Sequence, residues 1–210
     1  MSTEEEQYER WLEHVTLEEA MLLREQATSI EELHDAFYRE LSFGTAGLRG
    51  IIGLGPNRMN VYTVAKATQG LADYLNAHYE SPSVAIARDS RNRGEEFVRA
   101  AAGVLAANGV VAHVYRAIQP TPVLSFTVRE LGCSAGINVT ASHNPAAYNG
   151  YKVYGDDGCQ IASQAAVEIQ EGIDGLDFFD DVKRMDFEEA LAAGLVQWVD
   201  DAVVDRFLDE

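Results

Sequence analysis

Between Val84 and Val139 short apolar runs alternate with amphipathic stretches, and that alternation constrains the fold more than any other feature of the chain. Val84 to Ala87 reads as a strand, Gly94 to Asn108 as a helix closed by Gly109, and Val110 to Tyr115 as a second strand. Thr121 to Leu131 reads as a helix closed by Gly132, and Ala135 to Val139 as a third, fully apolar strand. A βαβαβ order of this kind predicts an α/β fold: a mostly parallel, mixed sheet sandwiched by helices in three α/β/α layers. In open sheets of that type ligands bind beyond the carboxyl ends of the strands. Asp89, Gln119 and Ser142 each follow a strand and are expected on one edge.

The flanks add helices. From Glu4 to Glu40 apolar residues (Tyr8, Trp11, Leu12, Val15, then Leu33, Phe37, Leu41) recur at spacings of three or four, which predicts two helices broken near Thr16 or Thr28-Ser29. Glu4-Glu5-Glu6 suits a solvated first turn. Val61 to His78 predicts a helix capped by Asn60, and Ser163 to Gly172 another. Asp177 to Ala193 mixes acidic and apolar residues and is expected to lead outward. The expected organisation is a helical segment over 1–42 packed on the domain, the α/β domain proper over 43–194, and the start of a linker or helix over 195–210.

Composition excludes several classes of function. A formal net charge of −18 argues against a nucleic-acid partner, which needs a basic surface for phosphates. An acidic chain can still bind a small phosphate in a local positive pocket, for which Arg49, Lys152, Arg88 and Arg91 are the candidates. Cys133 and Cys159 form no disulfide framework and suit a reducing, cytoplasmic setting. No apolar run approaches the roughly 20 residues that span a bilayer, and Met1 to Arg10 is too acidic and polar for a signal peptide. His14, His34, His78 and His113 show no metal-ligand spacing, and no glycine-rich nucleotide-binding pattern follows a strand.

The chemistry concentrates after the third strand. Ala141 to Gly150 is rich in Ser, Asn, Pro and Gly, the composition of a loop on which a rigid scaffold displays reactive groups, and Tyr151 to Tyr154 reads as a further short strand. Gly155-Asp156-Asp157-Gly158 is then a hairpin turn leading to Cys159–Ile161. A nucleophilic serine needs a group to take a proton and positive charge to stabilise what it carries. Ser142, with His143, Lys152 and Arg49, supplies those types.

Thr140-Ala141-Ser142-His143-Asn144-Pro145 followed by Asn149-Gly150-Tyr151-Lys152 resembles the phosphoserine loop of the α-D-phosphohexomutases, the phosphoglucomutases and phosphomannomutases. Phe43-Gly44-Thr45-Ala46-Gly47-Leu48-Arg49-Gly50 is similar to the segment that brings an arginine to the same site in that family. Arg88-Asp89-Ser90-Arg91 resembles its loop-supporting turn, and Gln119-Pro120-Thr121-Pro122 its P-T-P turn.

The resemblance implies a domain I type α/β/α fold in which Ser142 carries the phosphoryl group. It makes His143 and Lys152 agents of proton transfer and charge stabilisation, and Arg49 part of the positive surround. Thr45, Asn144, Arg88 and Arg91 become substrate- or phosphate-binding residues. It also implies a sugar-phosphate substrate, a hexose 1,6-bisphosphate intermediate or activator, and Mg²⁺ bound through the phosphate of Ser142. The other metal ligands of the family lie in a D-G-D-x-D-R loop that this sequence lacks. The expectation is therefore the N-terminal domain of a mutase, inactive alone, whose partners are the downstream domains of the same enzyme, with no nucleic acid and no membrane. A pentose-phosphate mutase using the same loop, or a non-catalytic binding or assembly domain, are the alternatives.

Overall fold

Strand pleat sorts the alternating segments into one sheet with two cores. The structure, a computed structural model, describes residues 3–44 and 47–209. Its strands are β1 (Gly47–Ile51), β2 (Ser83–Arg88), β3 (Val111–Val114), β4 (Ala135–Val139), β5 (Tyr148–Gly155) and β6 (Val196–Trp198), in the spatial order β1-β5-β4-β2-β3-β6. Strands β4, β2, β3 and β6 are parallel, while β5 runs antiparallel to both of its neighbours, β4 and β1. Successive residues of β2 serve opposite faces. Val84 and Ile86 enter one core with α4 (Val61–His78), α5 (Gly94–Ala107) and α7 (Ser163–Asp174). Ala85 and Ala87 enter the other, beneath α6 (Thr121–Glu130) and α9 (Asp201–Asp209). The expected three layers and mixed sheet are present.

The N-terminal segment breaks at both places where a single break was expected. It forms α1 (Thr3–His14), α2 (Leu17–Gln26) and α3 (Ile30–Phe37). Thr16 and Ser29 each cap a helix reciprocally with a glutamate three residues on, Glu19 and Glu32, so each T/S-x-x-E pattern is a helix start. Trp11, Leu23 and Phe37 gather with Leu54 and Phe178 in a separate small core.

Two further segments differ from expectation. Residues 177–193 return to the domain instead of leading outward: Phe178 and Val182 are buried, and α8 (Phe187–Ala192) packs on α5. The amide of Met185 donates to the Gly103 carbonyl at 3.2 Å, and a Cβ on Gly103 would lie 2.3 Å from the Met185 oxygen, so the strap and α5 touch backbone to backbone. Residues 195–209, expected to begin a linker or helix, form the expected helix as α9, but it is seated on α6, where Phe207 meets Phe126 edge-on, and β6 pairs beside β3 ahead of it. Pairing with β3 accounts for the difference, because a three-residue strand carries too little periodicity to be read in a sequence.

Asn60 is the hinge between the β1 region and α4. Its side-chain oxygen accepts from the amides of Tyr62 and Thr63, and its nitrogen donates to the carbonyls of Gly53 and Gly55, with the whole residue buried. Asn60→Ala strands these backbone groups without water, and is expected to cost about 2–4 kcal/mol. Urea unfolding checks this as a lower midpoint at unchanged slope; an unchanged midpoint would contradict it.

Candidate active site

Because β5 is antiparallel to β4, the chain must reverse within the residues between Val139 and Tyr148, and Ser142 sits in that reversal. Strand β5 begins at Tyr148 and not at the expected Tyr151, since residues 148–150 are drawn into register with Arg49–Ile51 of β1. The displayed loop is correspondingly short. Cys159–Ile161 is held to β5 by one bridge, Tyr154 to Gln160, without forming a strand of its own.

Backbone groups of the loop are held by side chains from the β2–α5 turn. The Thr140 hydroxyl donates to Asp89 and accepts from the Ser142 amide at 3.0 Å. Asp89 also accepts from the Arg91 amide at 2.9 Å. The Arg91 guanidinium donates to four carbonyls: Ser142 at 2.8 Å, Asn144 at 2.6 Å, Pro145 at 3.0 Å and Tyr148 at 2.8 Å. A planar fork with five fixed donors suits such convergence, whereas an ammonium does not. Within this frame Ser142 adopts φ +54°, a left-handed conformation costing a non-glycine residue roughly 1–2 kcal/mol. The side chain is exposed, and its sole hydrogen-bond contact among the described residues is the His143 ring nitrogen at 3.4 Å. Ser142 is thus fixed through its backbone and free at its oxygen.

The cations lie on a stretch of sheet that no helix covers. Alternate residues of β1 and β5 place Arg49 opposite Gly150 and Gly47 opposite Lys152 on one face. Gly47 has φ +133°, and a Cβ there would lie 1.8 Å from the Tyr151 carbonyl, so no other residue lets the strands approach this closely. Arg49 donates to the Asn144 side chain at 3.2 Å. Lys152 has no hydrogen-bond or ion-pair partner among the described residues. Beside it the Tyr151 ring is buried and anchored by the Thr68 hydroxyl at 3.1 Å, and burial pushes its phenol well above the usual range. An open cleft of about 430 Å³ lies among Ser42, Gly47, Arg49, Thr140, Lys152 and Gln160, with a second hollow of about 320 Å³ between Ser142 and the Asp89–Asn92 turn.

The approach to β1 is braced by residues that carry no motif. Lys66, buried on α4 and 4.4 Å over the Phe178 ring, pairs with Glu40 at 2.6 Å, and the Phe43 amide donates to Gln170 of α7 at 2.7 Å. Their signal in the sequence is confined to a polar residue at a buried helical position.

The expected site residues therefore divide. Ser142, His143 and Asn144 share the loop, with Arg49 reaching Asn144 and Lys152 on the adjoining face. Arg91 spends its guanidinium on the loop carbonyls and borders the hollow beside Ser142. Arg88, expected to bind phosphate, instead pairs with Glu95 at 3.3 Å and faces a different hollow with Arg99, Arg116 and Trp198; the pleat sends it away from Asp89. Gln119 is held at the edge, its amide on the Arg88 carbonyl at 2.9 Å. Thr45 lies outside the described residues. His34 and His78 pair with Glu4 and Glu168, and His113 is half-buried with its pKa pushed down by burial. Cys133 and Cys159 are free thiols.

Fold and site together define an α/β/α domain built around a loop serine held at the sheet's carboxyl edge, with an arginine reaching the same loop and a lysine on the adjoining face. The model of the family described as phosphoglucomutase/phosphomannomutase, alpha/beta/alpha domain I, matches residues 40–180, and the chain belongs to that family. It is 38% identical over 201 residues to a phosphoglucomutase of Staphylococcus saprophyticus subsp. saprophyticus, covering 95% of this chain and 36% of the relative. Phosphoglucomutase of Staphylococcus aureus is 44% identical over 158 residues, covering 75% of this chain and 28% of the relative. Among solved structures, a Thermus thermophilus protein assigned as a phosphomannomutase superposes with a TM-score of 0.64 at 28% identity, over 78% of this chain and 34% of that one. The chain thus spans about a third of these proteins' length.

Arg91→Ala is expected to raise amide hydrogen exchange across residues 142–148 at least about tenfold, equivalent to ~1.4 kcal/mol of local stability, with α4 protection unchanged. Unaltered exchange in the loop would show that Arg91 does not hold it.

Proposed function

We propose that this chain is the phosphoserine module of a phosphohexomutase, interconverting glucose or mannose 1-phosphate and 6-phosphate. The observation that carries the reading is Ser142 itself: its backbone is fully tied at an unfavourable φ while its hydroxyl is left exposed, on a loop that Arg49 reaches at Asn144. Strain retained where the surroundings enforce it is a mark of a working site. The names of the staphylococcal relatives point to the same chemistry.

In the proposed cycle Ser142 rests as a phosphoserine. The free hydroxyl of a hexose monophosphate attacks the phosphorus in line; the new sugar O–P bond forms as the Ser142 Oγ–P bond breaks. His143 takes the proton of the attacking hydroxyl and returns it to the serine oxygen, leaving a hexose 1,6-bisphosphate. After the sugar turns over in the site, its other phosphate passes back to Ser142 by the reverse steps. Such transfer needs positioning and charge neutralisation more than covalent assistance. Arg49 and Lys152 offset the charge of the transferring oxygens, and Arg91 with Asp89 and Thr140 keeps Ser142 in line.

Mg²⁺, which the family implies, would stabilise charge on the phosphate. Among the described residues no three His, Cys, Asp or Glu side chains are grouped to hold a metal ion. Asp89 is engaged by Thr140 and Arg91, which leaves the phosphate of Ser142 as this chain's contribution to metal binding. The residues present do not make a magnesium site, and the remaining ligands belong to the further domains we propose as its partners. No helix is long and apolar enough to cross a membrane among the described residues; a cytoplasmic setting fits the proposed substrate.

The 210-residue chain is expected to convert glucose 1-phosphate many decades more slowly than a version extended through the downstream domains, because metal and sugar contacts supply several kcal/mol at ~1.4 kcal/mol per tenfold. A coupled assay with Mg²⁺ and glucose 1,6-bisphosphate compares them, and comparable rates would sink the modular reading. In the extended protein glucose 1,6-bisphosphate should add one phosphate mass that Ser142→Ala abolishes; labelling that persists would sink the nucleophile assignment.

A further inference from the structure

Gln160 also borders the cleft. It faces Tyr154 across a single antiparallel bridge, so the pleat sets it on the face that carries Lys152, one pair further along β5. Diagonal neighbours of this kind have backbones about 7–8 Å apart, within reach of long side chains. The turn that presents it is closed by its own backbone. The Gly155 amide donates to the Cys159 carbonyl at 2.8 Å, the Ile161 amide to Val153 at 3.2 Å, and the Cys159 amide to the Asp157 side chain at 2.8 Å. Gly158 packs on α6, where Ser125 donates to its carbonyl at 2.6 Å. None of these bonds uses the Gln160 side chain, which is exposed and has no hydrogen-bond partner among the described residues. A rigid turn therefore delivers an unengaged carboxamide to a cleft whose other long side chains, Arg49 and Lys152, are cations.

We propose that Gln160 contacts the substrate, its carboxamide bonding a pair of adjacent sugar hydroxyls while Arg49 and Lys152 take the phosphate. The inference rests on the sugar-phosphate reading of this cleft and assigns it a recognition residue. The chemistry divides naturally: an uncharged amide offers one acceptor and two donors, matching hydroxyls that both donate and accept, whereas guanidinium and ammonium groups donate only. Glycine at 47 and 150, the cross-strand partners of Lys152 and Arg49, adds no further side chain between the two cations.

The test is amide-resonance titration of the 210-residue chain with glucose 1-phosphate and, separately, inorganic phosphate, for the wild type, Gln160→Leu and Gln160→Glu. Gln160→Leu should weaken glucose 1-phosphate about 3- to 10-fold, the worth of a neutral hydrogen bond or two, and leave inorganic phosphate unchanged. Gln160→Glu should weaken both, by adding a negative charge beside the phosphate. Retained spectral dispersion establishes that the variants fold. Equal glucose 1-phosphate affinity in wild type and Gln160→Leu would overturn the role of Gln160 while the phosphate shifts at Arg49 and Lys152 still support the cleft. Absence of shifts at those two residues with either ligand would overturn both.

Discussion

One reversed strand determines where chemistry can occur in this domain. Four parallel strands alone would connect through helices, and each carboxyl end would lead into a helical crossover. Inserting β5 antiparallel between β4 and β1 turns the β4 exit into a tight reversal whose carbonyls cannot be satisfied by a ladder. Arg91 resolves this by donating to four of them, and Asp89 and Thr140 complete the frame. The same insertion carries β1 outboard of α6, leaving the face with Arg49 and Lys152 open. Display of the serine and exposure of the cations thus have a common origin.

Charge follows the same division. In a chain of net charge −18 most arginines near the site are neutralised or consumed locally: Arg88 by Glu95, Arg93 by Glu96, Arg91 by the loop. Arg49 and Lys152 stay available, so the attraction for an anion is confined to one cleft instead of spread over the surface. The buried Lys66, by contrast, holds the exposed Glu40 and so fixes the chain entering β1, since a charge out of water must have a partner.

Sequence periodicity was informative where elements are long or motif-bearing. Strand β4 and helix α4 have the predicted limits, and the loop motif locates Ser142, His143 and Asn144 on a single turn. What escaped was set by contacts distant in sequence. Strand β6 has three residues and exists through pairing with β3; the 177–186 strap returns because α5 has a glycine where Met185 must touch it. Arg88 pairs with Glu95 and Arg91 holds the loop, placements that a motif cannot give because it does not say which face of the pleat a side chain takes. Gln160 carried no motif and became visible through its position across from Tyr154.

The fold imposes the left-handed conformation of Ser142, against the residue's own preference, and so presents its oxygen. Urea unfolding of Ser142→Gly and Ser142→Ala tests this directly. Both lose the hydroxyl, but glycine is free of the penalty at φ +54° that alanine pays. After allowance for glycine's more disordered unfolded state, the glycine variant is expected to be more stable by about 0.5–1 kcal/mol. An alanine variant as stable as the glycine variant, or more so, would contradict it.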